Sequence, residues 1–105
     1  MNIKILGAHN LESKNTGCTC LLIDDVLALD AGALTSRLSF KAQKKLRAVL
    51  LTHRHYDHVK DLPALGMYFY LLRKRLEIYA LQSVFKDLSY FKEEVLYPDF
   101  TERPS

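Results

Sequence analysis

The chain has 105 residues, of which 49% are hydrophobic and 26% are charged. This length suits one domain and is too short for two, and the apolar fraction excludes a disordered or low-complexity chain. Its 15 Lys and Arg against 12 Asp and Glu give a net charge of +3, a small excess that does not identify a nucleic-acid-binding module. Two cysteines cannot build a disulfide framework, and no pattern of an export signal or a membrane span is found. We therefore expect a cytoplasmic protein without a membrane partner.

The apolar pattern predicts strands in the first third of the chain, followed by strands alternating with helices. Residues 2–6 alternate as a first strand does, and the polar residues 7–17 predict a loop. Residues 18–23 and 26–29 are apolar runs around Asp24-Asp25, a pattern typical of a hairpin. This order predicts a layered mixed α/β domain. The remaining predicted elements are a helix over 39–46 capped by Ser39, a strand over 48–51 buried on both faces, a helix over 61–75 with Asp61 as N-cap, a strand over 76–81, a helix over 83–96 and an unpatterned tail over 97–105.

The strongest chemical signal is the segment 52–58, Thr-His-Arg-His-Tyr-Asp-His, which contains three of the four histidines. It follows a buried strand and precedes a helix, and α/β folds build their sites at that edge of the sheet. In an extended loop His53 and His55 project to one side and can share a metal, while Asp57 and His58 can turn to a second ion. Imidazole and carboxylate are ligands of catalytic zinc and also suit iron or manganese. The alternative is a polar loop with merely solvated histidines.

The pattern His-x-His-x-Asp-His after an apolar strand resembles the signature of the metallo-β-lactamase-fold hydrolases. Residues 29–32, Leu-Asp-Ala-Gly, resemble the upstream Asp-x-Gly element of that superfamily, and residues 60–65 resemble the continuation of the motif. Residues 6–7 and 21–24 resemble the ribonuclease Z-like and cyclic-nucleotide phosphodiesterase-like branches. The resemblance covers residues 2–96.

This resemblance implies a four-layer αββα sandwich made of two similar halves, of which residues 1–105 would be a single, truncated domain forming the first half. It implies two zinc ions, one held by His53 and His55 and the other by Asp57 and His58. Asp57 would also orient the attacking water, as the catalytic residue. The complete protein would then be a metal-dependent hydrolase acting on phosphodiesters of RNA or of a cyclic nucleotide.

The role of Asp30 and the ligands from the family's second half both decide whether that function applies to this chain. Asp30 could fix a ligand imidazole through its free N–H, or it could be only a turn residue at the end of a strand. The family's second half supplies a further histidine to each metal and a bridging aspartate, but no histidine follows His58. We therefore expect the isolated chain to bind zinc weakly and to be inactive as a hydrolase.

Two other classes of function stay open at this stage. The chain could be an inactive interaction module that keeps the half-fold, with self-association through the sheet face that a partner sheet would cover. It could also be a basic nucleic-acid-binding domain without metal, although the net charge is modest. Lys41, Lys44, Lys45 and Arg47 could attract a phosphate-bearing substrate, or they could be the solvated side of a short helix.

Overall fold

A six-stranded sheet with its strands in chain order lies at the centre of the computed structural model, which describes residues 1–87 and 100–104. The first three strands pair antiparallel, and the third to the sixth pair parallel. The strands are β1 (Ile3–Gly7), β2 (Cys20–Ile23), β3 (Leu27–Leu29), β4 (Ala48–Leu50), β5 (Leu76–Ala80) and β6 (Phe100–Pro104).

The hairpin of β2 and β3 turns at Asp24 and Asp25, as the sequence predicts. Both residues have positive φ angles, 52° and 63°. This backbone follows the right-handed twist of the flanking strands, and Asp is one of the residues that tolerates it. Val26 N–H closes the turn by donating to the carbonyl oxygen of Ile23 at 3.1 Å.

The helices are shorter than the sequence predicts. Ser39 Oγ accepts from the backbone N–H of Ala42 at 3.1 Å and caps a helix that ends at Gln43 instead of continuing to residue 46. The predicted helix over 61–75 ends at Leu72, because Arg73 adopts the left-handed conformation. Of the predicted helix over 83–96, the part beyond residue 87 lies outside the described residues. The helices are α1 (Leu34–Arg37), α2 (Phe40–Gln43), α3 (Tyr56–Val59), α4 (Leu62–Leu72) and α5 (Gln82–Asp87).

Asp61 precedes α4, but its side chain does not cap that helix. One carboxylate oxygen instead accepts from the backbone N–H of Thr35 at 3.1 Å, and the other binds the ammonium group of Lys60. Asp61 therefore occupies the predicted N-cap position, but its side chain makes no capping hydrogen bond. Asp61 is buried, and its carboxylate ties the start of α4 to α1.

The tail predicted to be unpatterned contains β6, which pairs parallel to β5 from Phe100 to Pro104. This corrects the prediction over the part of 97–105 that the structure describes. The strand was missed because an edge strand does not need a continuous apolar run, and proline is tolerated at its end.

One face of the sheet packs against the helices, and the opposite face is largely uncovered by the described residues. Val49 and the flanking Leu51 are buried, whereas Ala48 and Leu50 are half-buried, so the prediction of a strand buried on both faces does not hold for this chain. Ile3 and Ile5, alternate residues of β1 that point to the uncovered face, expose 52% and 72% of their surface. We call this surface the open sheet face; strand pairing places on it Ile3, Ile5, Leu21, Ile23, Leu27, Leu29 and Leu50.

None of the helices within the described ranges has both the length and the apolar character needed to cross a bilayer.

Candidate metal centre

The segment 52–58 lies at the carboxyl end of β4, next to Asp30 at the carboxyl end of β3. These strands pair in parallel, so both ends meet at one edge of the sheet. Backbone bonds hold the two segments together: Asp30 N–H donates to Leu50 at 2.8 Å, and Ala31 N–H donates to the carbonyl oxygen of His58 at 2.6 Å. The candidate site therefore stands on the parallel pair of β3 and β4.

The sequence predicts a loop over the whole of segment 52–58, but only its first part is a loop. Residues 56–59 form the short helix α3, in which His58 N–H donates to the carbonyl oxygen of His55 at 2.9 Å. His53 and His55 remain in the non-helical part. A single helical turn leaves no periodic pattern in a sequence, which is why α3 was not predicted.

Three imidazole rings lie together at this edge. The ring centroids of His53 and His55 are 5.8 Å apart with nearly parallel planes, and those of His53 and His58 are 4.7 Å apart. Asp57 Oδ2 lies 3.4 Å from Nε2 of His58. The fold thus gathers all four sequence-predicted ligands, His53, His55, Asp57 and His58, into one cluster.

Asp30 lies beneath this cluster and is only 3% exposed. Its Oδ1 accepts from the backbone N–H of Thr52 at 2.8 Å, and its Oδ2 accepts from the Thr52 hydroxyl at 2.7 Å. The same Oδ2 lies 2.9 Å from Nδ1 of His58. Asp30 is also a turn residue with a φ of 64°, so it both contacts the imidazole of His58 and occupies a turn at the end of β3.

The protons of this network determine the tautomers of two histidines. A carboxylate can only accept, so His58 must carry its proton on Nδ1 to bind Asp30. Thr52 has a single hydroxyl proton, which it gives to Asp30, so Nδ1 of His53, at 3.1 Å, must donate to the Thr52 oxygen. With Nδ1 engaged as a donor on both rings, Nε2 is the ring atom through which each imidazole would bind a metal.

The donor types suit zinc, but the residues that the structure describes do not complete a centre. Among the described residues no group of three His, Cys, Asp or Glu side chains is arranged to hold one ion. A catalytic zinc normally has three protein ligands, whereas the predicted assignment gives two to each ion. The donor types and their number therefore suit only a part of a metal site.

Gly32 allows the backbone of α3 to approach the end of β3. A Cβ atom built on Gly32 would lie 2.2 Å from the carbonyl oxygen of Asp57 and 2.6 Å from that of Thr19. Both are backbone atoms that cannot rotate away. The glycine of the Asp-x-Gly element is thus required by the contact between that element and the histidine segment.

An ion-pair network that the sequence did not reveal supports the other end of α3. Lys60 Nζ lies 2.5 Å from Asp61 Oδ1 and 2.8 Å from Glu12 Oε1. Burial lowers the pKa of Lys60, but the hydrogen bonds to Asp61 and Glu12 outweigh it and leave that pKa raised. The hydrogen bond to Lys60 lowers the pKa of Glu12. The network joins the loop after β1 to the start of α4.

We expect Lys60→Met to destabilise the fold by about 3 kcal/mol, because it leaves the carboxylate of Asp61 buried without its cation. The loss should be seen at pH 7 by urea unfolding followed by circular dichroism. Because the pKa of Lys60 is raised, its contribution is complete below the ordinary value of 10.5 and is lost as the pH rises beyond it. Lys14→Met, on an exposed residue, serves as the control, and equal stability of the two variants would contradict the prediction.

The contacts that matter most here join residues far apart in sequence. Asp30 and Thr52 are 22 positions apart, and Asp30 and His58 are 28 apart. Thr52 begins the histidine segment, yet nothing in its neighbourhood indicates that its hydroxyl lies between Asp30 and His53. Only the parallel pairing of β3 and β4, once predicted, could have suggested this contact.

Comparison with known proteins identifies what the fold resembles. A family described as a beta-lactamase superfamily domain matches residues 19–98. Among solved structures, the chain is similar to the metallo-beta-lactamase fold protein YhfI from Bacillus subtilis, with a TM-score of 0.76 and 21% sequence identity. This similarity covers 98% of the present chain and 44% of YhfI, so the chain spans less than half of that protein's length. No curated protein gives a significant match. The predicted fold class, a mixed α/β domain equivalent to about half of a metallo-beta-lactamase fold, is confirmed.

Proposed function

The chain belongs to the beta-lactamase superfamily, and on that premise we propose that it supplies part of the metal centre of a hydrolase that cleaves phosphodiesters. The observation that carries this proposal is the cluster of His53, His55, Asp57 and His58 above the buried Asp30. A buried carboxylate bonded to the Nδ1 side of a histidine is the usual support of a metal-ligating imidazole, and this supports the proposal. A solvated loop would not need a buried carboxylate under its histidines.

The metals that we propose are two zinc ions, with manganese or iron as alternatives that the same donors accept. When bound, such ions supply a nucleophile at neutral pH and neutralise charge on a phosphoryl oxygen. His53 and His55 would hold one ion, and Asp57 and His58 the other. Because each ion needs further ligands, hydrolysis would belong to a protein in which the remainder of the fold accompanies this chain.

Phosphodiesters of RNA or of a cyclic nucleotide are proposed as substrates because residues 6–7 and 21–24 resemble those branches of the superfamily. The superfamily itself does not specify a substrate. The carboxylate of Asp57 is the residue that we propose to be catalytic, since it is half-buried and lies beside His58.

The proposal is tested with Asp57→Asn in the protein that carries the whole fold, with bis(p-nitrophenyl) phosphate as substrate and zinc present. Asn has nearly the same shape as Asp but no charge, so kcat should fall by about 100-fold while KM changes little. Asp25→Asn, in the exposed hairpin turn, is the matched control. Activity of Asp57→Asn within a few-fold of that control would show that Asp57 is structural.

A second candidate, an interaction module that has lost the chemistry, is favoured by the open sheet face. Ile3 and Ile5 expose more than half of their surface there, beside five further aliphatic side chains. Under this reading the face is covered by a second copy of the chain. Sedimentation velocity should then show a dimer that Ile5→Lys converts to a monomer, and a monomeric parent chain would exclude this candidate.

A further inference from the structure

A groove of about 900 Å³ lies at the edge of the sheet opposite to the histidine cluster. It runs along the amino ends of β3, β4 and β5, where the chain enters each parallel strand. Its floor contains the buried Leu46 and the half-buried Val26. The histidine cluster occupies the carboxyl ends of the same strands, so the two surfaces are separate.

The parallel sheet brings two basic segments together along this groove. Lys44, Lys45 and Arg47 precede β4, whereas Lys74 and Arg75 precede β5, and all five side chains are exposed. The backbone of these segments is fixed, since Arg47 N–H donates to Val26 at 2.8 Å and Glu77 N–H donates to Arg47 at 3.2 Å. The ammonium group of Lys74 also donates to the carbonyl oxygen of Lys44. In the sequence, each of these segments is only a short charged run near the end of a helix, and nothing indicates that the two lie side by side.

The carboxylates of the groove are occupied by other partners. Asp25 pairs with Lys4 at 3.0 Å, Asp24 accepts from the N–H of Asn2 at 2.7 Å, and Glu77 accepts from the hydroxyl of Tyr79 at 2.6 Å. In the part of the chain that the structure describes, Lys45, Arg47 and Arg75 make no ion pair. The donors to Asp24 and Glu77 are neutral, so all three carboxylates keep their charge. The five cations that line the groove outnumber them, and the groove therefore has a net positive charge at this edge of the sheet.

We propose that this groove binds the sugar-phosphate backbone of a single-stranded RNA. Several exposed lysines and arginines along one concave surface are suited to a chain of regularly spaced phosphates, and binding of this kind is independent of sequence and sensitive to salt. A lipid surface fits less well, because the groove is concave and its aliphatic residues, Leu46 and Val26, are not free to insert into a bilayer. The site requires no metal, so it is independent of the hydrolase proposal above.

The test is fluorescence anisotropy with a fluorescein-labelled 15-nucleotide oligouridylate and the metal-free chain in low salt. Arg47→Glu/Arg75→Glu should weaken binding by more than about tenfold and reduce the dependence of log K on log salt. Lys14→Glu/Lys86→Glu makes the same change of net charge at exposed positions outside the groove and should have little effect. Arg47→Gln/Arg75→Gln, which removes the charges without reversing them, should give an intermediate loss and replaces the Glu variant if that variant fails to fold.

Equal weakening by the groove pair and the control pair would overturn the proposal, because the binding would then follow net charge alone. Absence of RNA binding by the parent chain would overturn it as well. So would vesicles of phosphatidylcholine and phosphatidylserine that bind more tightly than RNA and lose binding with the groove pair, since the ligand would then be an anionic lipid surface.

Discussion

Gly32→Ala should lower the free energy of unfolding by about 3 kcal/mol or more, at the upper end of what overpacking usually costs. The added methyl group would lie 2.2 Å from the carbonyl oxygen of Asp57 and 2.6 Å from that of Thr19. Neither oxygen can move without displacing α3 or the segment before β2. Since the carbonyl oxygens of Asp57 and His58 both lie against residues 31–32, the same change should disturb the histidine cluster.

Gly17→Ala is the matched control for this substitution. A Cβ atom on Gly17 would lie 3.1 Å from the carbonyl oxygen of Leu6 and 3.2 Å from the guanidinium of Arg37, which is the flexible end of a long side chain. Urea unfolding of both variants should therefore separate them clearly. If the free energies of unfolding of the two variants lie within about 1 kcal/mol of each other, residues 57–59 can move aside for the methyl group. Gly32 would then not fix the position of α3.

Asp30→Ala should have the second large effect, with a loss of about 3 kcal/mol in stability. It leaves the N–H of Thr52, its hydroxyl and Nδ1 of His58 without their acceptor, and it forces alanine to adopt a φ of 64°. It also frees the tautomers of His53 and His58, so zinc affinity should fall by about 10- to 100-fold.

Two variants separate the contributions of backbone and carboxylate. Asp24→Ala has a comparable φ of 52° in the exposed hairpin turn, so it measures the cost of alanine at positive φ without the buried network. Asp30→Asn tolerates the backbone conformation and can still accept from Thr52, but its amide group cannot accept from all three donors. It should regain part of the stability while zinc affinity, measured by calorimetric titration, stays low. Full zinc affinity in Asp30→Asn would mean that the carboxylate does not orient the histidines.

Elements with a clear apolar pattern or a capping residue in the sequence could be predicted, and elements without such a local signal could not. The stripe of Leu62, Leu65 and Phe69 indicated α4, and Asp24-Asp25 between two apolar runs indicated the hairpin. In contrast, α1 and α3 have four residues each and depend on tertiary contacts, such as the bond from Ala31 N–H to His58. The edge strand β6 is defined by its pairing with β5 instead of by an apolar pattern.

The candidate metal ligands could be named from the sequence because they lie within six residues of one another. The residues that hold those ligands in place could not be identified in the same way. The sequence indicates Asp30 as a possible partner of a histidine, but it does not indicate which histidine. It assigns no role to Thr52. Lys60 and Glu12 are 48 positions apart and meet only because the loop after β1 folds back onto the start of α4. Long-range contacts of this kind leave no local signature, although they determine how well a site is held.

The central claim, that the histidine segment is part of a metal centre, is tested most directly by calorimetric zinc titration of the chain and of His53→Ala/His55→Ala. Both histidines are exposed, so the double variant should keep its melting temperature within a few degrees. The parent chain should bind zinc more weakly than a site with three or four ligands, and the double variant should lose the ion that His53 and His55 hold. Equal zinc binding by both proteins, no binding by the parent, or tight binding of two ions with phosphodiesterase turnover by this chain alone would contradict the account.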